Sequence, residues 1–128
     1  MTPNENERHE IEESIERRVT ELGIETDPAF VAGLFDTFIR DAKKRMERLS
    51  VSLAAKDAEK VYYEAHSLRG GSLSIGANAL ASFLQTIEDS ASEGKLGGLD
   101  MLFENVKFEF GKVEHSLLVL KERTGKKK

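Results

Sequence analysis

The sequence contains no cysteine and no tryptophan, and only two prolines among 128 residues. Without thiols there are no disulfides, thiolate nucleophiles or cysteine metal sites, and a reducing, cytoplasmic setting is expected. With Pro3 and Pro28 its only prolines, nearly the whole chain is free to be helical. No apolar run approaches the roughly 20 residues of a membrane span, and the start, MTPNENERHE, is too polar for a signal peptide. Excess positive charge is also lacking: 23 acidic and 19 basic residues give a formal net charge of −4. Global charge therefore argues against nucleic acid as a partner. The KKRMER and KKK runs read as a solvated helix face and tail.

What the chain does have is helical periodicity. Its length fits one domain with one core, and five amphipathic segments predict five helices and no strands. A short first helix over about 7–22 carries Ile11, Ile15, Val19 and Leu22, and Gly23 stops it. Asp27 and Pro28 suit the start of a long second helix. Its expected stripe is Phe30, Leu34, Phe38, Ala42, Met46, Leu49 and Leu53, widened by Phe35 and Ile39. Asp57 suits the cap of a third helix that buries Val61, Ala65, Leu68 and Ser72 and ends near Gly76. Leu80, Leu84, Ile87 and Ala91 mark a fourth, with Phe83 beside them. Asp100 suits the cap of a fifth, whose seam is Leu99, Phe103, Val106, Phe110, Val113, Leu117 and Leu120. Residues 121–128, KERTGKKK, are expected to fray. Short loops between long helices imply antiparallel neighbours, hence an all-α, up-down four-helix bundle with an additional short N-terminal helix. Five such segments in one chain favour an intramolecular core and a monomer over a coiled-coil dimer through the fifth helix.

Residues 65–71, AHSLRGG, raise the chemical question. A glycine inside a helix costs about 1 kcal/mol relative to alanine, and here there are two together. On a wheel at 100° per residue with Val61 at zero, Ala65, Leu68 and Ser72 cluster about the core direction. His66 falls near 140°, with Arg69 and Gly70 one turn on and Tyr62 and Leu73 alongside. An outward imidazole nitrogen is a nucleophile able to take a phosphoryl group. Arg69 at i+3 offers a charged fork to phosphoryl oxygens. Gly70 at i+4 leaves a dent through which a partner can reach the ring. Gly71 falls on the flank, where close helix packing is one explanation. Across i−4 to i+4 no carboxylate shares the face of His66, so no base is expected beside it.

Residues 62–76, YYEAHSLRGGSLSIG, resemble the signature of the histidine-containing phosphotransfer (HPt) domain. That signature has histidine, an apolar residue two on, a basic residue at plus three, glycine at plus four and glycine at plus ten. Here these are His66, Leu68, Arg69, Gly70 and Gly76. The resemblance covers about Asp27 to Leu120. Arg69 stands where lysine is usual, and the double glycine is similar to the phosphoryl-accepting domain of chemotaxis-type kinases.

The resemblance implies a four-helix bundle with an exposed acceptor histidine. It implies a phosphorelay carrier that takes a phosphoryl group on His66 from a receiver-domain aspartate or a histidine kinase and passes it to a response-regulator aspartate. Arg69 would stabilise phosphoryl charge, Gly70 would give access, and Tyr62, Leu73, Glu59 and Tyr63 would form the docking surface. The expected partners are a receiver domain, a hybrid kinase or a chemotaxis-type kinase. No cofactor is expected on this chain, and Mg²⁺ would come with the partner. GKLGG lacks the spacing and terminal lysine of a phosphate-binding loop, so autonomous catalysis is not expected. His9, His66 and His115 fall on three helices, which argues against a metal site. A kinase dimerisation domain would need a carboxylate next to the histidine, where Ser67 stands. The competing reading is an inactive bundle that regulates a signalling partner by binding alone.

Overall fold

In a computed structural model the backbone is described over residues 4–126 and the side chains over residues 4–123. Five helices follow in order: α1 (Glu5–Glu21), α2 (Pro28–Ala54), α3 (Ala58–Ile75), α4 (Asn78–Ser92) and α5 (Leu99–Lys126). No strand occurs among the described residues. Local chemistry sets the starts. The Asn4 side chain accepts from Glu7 N, Asp27 from Phe30 N and Asp57 from Lys60 N, each satisfying an otherwise orphaned amide. Asp100 is not a cap, because α5 already begins at Leu99 and Asp100 lies in its first turn. The region expected to fray is also helical as far as Lys126, and residues 127–128 lie outside the described range.

α2 to α5 form the up-down bundle. α3 packs between α2 and α4, and α5 closes the ring against both. The expected seams of α3, α4 and α5 are all buried, from Val61 to Ser72, Leu80 to Ala91 and Leu99 to Leu120. The α2 stripe is rotated from the expected one. Val31, Phe35, Phe38, Ala42, Leu49 and Leu53 are buried, whereas Phe30 is exposed and Leu34 and Met46 are half-buried. In the first turn Val31, three residues before Leu34, takes the core position that periodicity alone gave to Phe30.

α1 lies outside this ring, against α5 and α3. Only Ile15 of its apolar residues is fully buried, with Ile11 and Val19 partly so, and Leu22 is exposed. Charge supplies the rest of its attachment. The buried carboxylate of Glu12 meets Arg8 at 3.2 Å and Arg123 of α5 at 2.8 Å. Lys112 of α5 meets Glu7 at 2.5 Å, and that carboxylate holds the Lys112 pKa above its usual value. α1 also ties down the end of the histidine-bearing helix. The Ser14 hydroxyl donates to the Gly76 carbonyl at 2.6 Å, and Arg18 Nε donates to the Ser74 carbonyl at 3.2 Å.

Candidate functional site

α3 stops at Gly76, whose φ of 87° is left-handed. The Ala77 amide bonds back to the Ser72 carbonyl and that of Gly76 to the Leu73 carbonyl, a glycine-terminated helix end. Glycine is required there twice over, because a Cβ would also lie 2.7 Å from the Ser14 carbonyl oxygen. The tight turn reverses the chain, so α4 runs back along α3 and brings Glu88 to the level of His66.

The buried residues Val61, Ala65, Leu68 and Ser72 fix the rotation of α3. His66 therefore faces outward, its side chain 54% exposed. Apart from its chain neighbours and the backbone of its own helix, a Cβ added at Gly70 would meet no atom within 4 Å, so the space one turn beyond the ring is open. Tyr62, Tyr63 and Leu73 are exposed apolar surface around it. Glu59 is exposed in the first turn of α3, two turns before the histidine. At Gly71 a Cβ would lie 3.8 Å from the Phe38 ring, an ordinary contact, so close packing does not explain that glycine.

The residue absent from the expected site is Glu88. Its side chain is only 5% exposed, yet it reaches His66 from α4: Oε1 lies 2.5 Å from Nδ1 of the imidazole. Its other oxygen, Oε2, accepts from Arg69 Nε at 2.5 Å. Arg69 Nη2 lies 3.4 Å from both Glu88 Oε1 and His66 Nδ1. The expectation of no carboxylate beside the histidine is thus corrected, because the carboxylate comes from the neighbouring helix. Arg69 likewise is not a free fork, since two of its nitrogens face Glu88.

Burial pushes the Glu88 carboxyl up, but hydrogen bonds from Arg69 and His66 and their charges outweigh it, so its pKa falls below the ordinary 4.5. Arg69 is raised in turn, chiefly by its hydrogen bond to Glu88. An ionised carboxylate can only accept, so Nδ1 must carry the ring proton of a neutral His66. The lone pair then belongs to Nε2, the opposite nitrogen. The Tyr62 ring lies parallel to the imidazole, with centroids 5.8 Å apart and planes at 9°. His9 and His115 sit on α1 and α5. Among the described residues no group of three or more His, Asp or Glu residues could hold a metal ion, and no helix is long and apolar enough to cross a membrane.

The profile of the Hpt domain family matches residues 33–119. The chain belongs to that family. A crystal structure of histidine-containing phosphotransfer protein B (HptB) from Pseudomonas aeruginosa PAO1 superposes on the Hpt chain with a TM-score of 0.78. The two are 33% identical, over 84% of this chain and 92% of the other. No curated protein matches the sequence. The Hpt assignment makes this a histidine phosphotransfer protein of phosphorelay signalling with an all-α fold. Hpt proteins are phosphocarriers that interact with kinases and receiver domains. The family match begins within α2, so α1 is an addition to the part it covers.

Proposed function

We propose that His66 is the phosphoryl acceptor of this Hpt protein and that Nε2 is the bonding atom. The observation that carries the reading is the 2.5 Å contact between Glu88 Oε1 and Nδ1 on an otherwise half-exposed ring. It holds the proton on the inner nitrogen and leaves the lone pair on the other. In the forward step Nε2 attacks phosphorus on a partner's aspartyl phosphate. The Nε2–P bond forms, the P–O bond breaks, and its electron pair returns to the aspartate. The ring gains positive charge with Nδ1–H directed at Glu88, whose carboxylate stabilises it. The return step runs the same changes backward onto the next aspartate.

Gly70 gives the partner access to the ring, and Tyr62, Tyr63, Leu73 and Glu59 surround the approach. Arg69 keeps Glu88 ionised from the Nδ1 side of the ring, and its stabilisation of phosphoryl charge acts through that carboxylate. Mg²⁺ and the groups that align the phosphoryl acceptor and donor belong to the partner, as in-line transfer between carboxylate and imidazole needs placed charge. On this reading the chain is a cytoplasmic carrier without catalysis of its own. The α5 seam is consumed within the bundle, which supports a monomer. ¹⁵N-detected spectra of the imidazole test the arrangement. His66 should show the Nδ1–H tautomer in the wild type and a mixture in Glu88→Gln. A wild-type ring with its proton on Nε2 would refute it.

A further inference from the structure

Tyr62 sits four residues before His66, so the two share a helix face. Their rings are nearly parallel, at 9°, with centroids 5.8 Å apart, within the range of offset stacking. An imidazole lone pair lies in the ring plane. A ring stacked on one face therefore leaves Nε2 open to attack along its edge. The same stacking matters more after transfer than before it. Once the lone pair has become an N–P bond, a ring that retains Nδ1–H is cationic, and the face of an aromatic ring attracts a cation. Glu88 meets that charge at the edge of the imidazole, and Tyr62 meets it at the face.

We infer that Tyr62 is a positioning residue that stabilises the phosphorylated ring over the free one, and so sets how readily His66 holds its phosphoryl group. This rests on His66 being the acceptor and deepens that reading. A tyrosine that served only to dock a protein partner would affect transfer from that partner alone. A tyrosine acting through the ring affects phosphorylation by any donor.

Phosphoramidate separates the two, since it has no docking surface. Its P–N bond breaks, ammonia leaves with the bonding pair, and the Nε2–P bond forms. The full-length chain is equilibrated with phosphoramidate and excess ammonia, and the phosphorylated fraction is read by ³¹P NMR. Replacement of the aromatic ring in Tyr62→Leu should lower the equilibrium constant about two- to fivefold, the size of an exposed cation–aromatic contact. Tyr62→Met should do the same and gives a second side chain if Leu perturbs folding, which circular dichroism monitors. Tyr62→Phe keeps the ring and should match the wild type. Equal constants in the wild type, Leu and Met variants would overturn the inference, and so would a Phe variant that falls with them. His66→Gln is the control on the reading beneath it. A phosphohistidine signal that survives that change would show that the acceptor is wrong, a different failure from an indifferent Tyr62.

Discussion

Replacement of Gly70 separates access from stability. In a helix, alanine is about 1 kcal/mol better than glycine. That gain is realised only where the new side chain meets nothing. At Gly70 a Cβ finds no atom within 4 Å beyond its chain neighbours and its own helix backbone, and that backbone is ordinary α-helix. Gly70→Ala should therefore stabilise the free protein by about 1 kcal/mol, a rise in thermal midpoint of roughly 3–5 °C for a chain of this size. Gly70→Gln should gain part of that, because glutamine is also a good helix former. The cost falls on the encounter. A glutamine side chain one turn beyond His66 fills the opening through which a receiver must bring its aspartyl phosphate. A displacement of about 1 Å can cost an in-line reaction roughly 10²-fold. Two assays are run on each variant: thermal melts, and single-turnover transfer from a phosphorylated receiver at subsaturating concentration. Phosphorylation by phosphoramidate serves as the docking-free reference. The expected pattern is a higher melting point, near-normal labelling by phosphoramidate and slow transfer from the receiver for Gln. Wild-type transfer in Gly70→Gln would refute the access argument. A lower melting point for Gly70→Ala would refute the claim that the position is open.

The other expectations concern Glu88 and Gly76. Glu88→Gln should slow phosphorylation of His66 about tenfold, the lower end of what a charge-assisted hydrogen bond contributes, because the imidazole is half exposed; single-turnover rates with phosphoramidate measure it. The depressed Glu88 carboxyl also fixes a pH trend. Its stabilising contribution is full above the unfolded value near 4.5 and is lost as pH falls through the lower folded value, because the unfolded chain binds that proton first. Melts from pH 7 to pH 3 should therefore show a steeper loss in the wild type than in Glu88→Gln. Gly76→Ala should destabilise by more than about 1 kcal/mol, since it combines a left-handed φ with a Cβ 2.7 Å from the Ser14 carbonyl oxygen; urea unfolding reads it.

The helix seams that periodicity exposes are those where each core residue has an apolar partner three or four places away. Leu99 to Leu120 is the clearest case, and every member is buried. The same pattern misleads where an adjacent apolar residue takes the core position, as Val31 does in place of Phe30. The helical turn around His66 was legible because its pieces lie within one short stretch: histidine, basic residue, open glycine, aromatic neighbour. Glu88 was not, since it comes from the next helix, and a search along the turns of α3 cannot find it. A signal for it does exist in the sequence. Ala81, Leu84, Glu88 and Ala91 step by three, four and three, and all are buried, so Glu88 is a carboxylate in core register. Glu12 obeys the same rule before Ile15 and Val19, and it too is buried, between two arginines. A charge in phase with an apolar stripe must find partners across the fold. Periodicity shows that such a partner is needed, while only the packing of the helices shows that Arg69 and His66 are the ones.

Mapping the phosphoryl group tests the central claim most directly. The full-length chain is phosphorylated with phosphoramidate, kept alkaline, and its peptides are sequenced by mass spectrometry; the labelled protein is then mixed with a receiver domain and Mg²⁺. The account predicts one acid-labile phosphate, on His66, that leaves for the receiver aspartate, and no label in His66→Gln. Phosphate on His9 or His115 that chases to the receiver in the His66→Gln protein would contradict it.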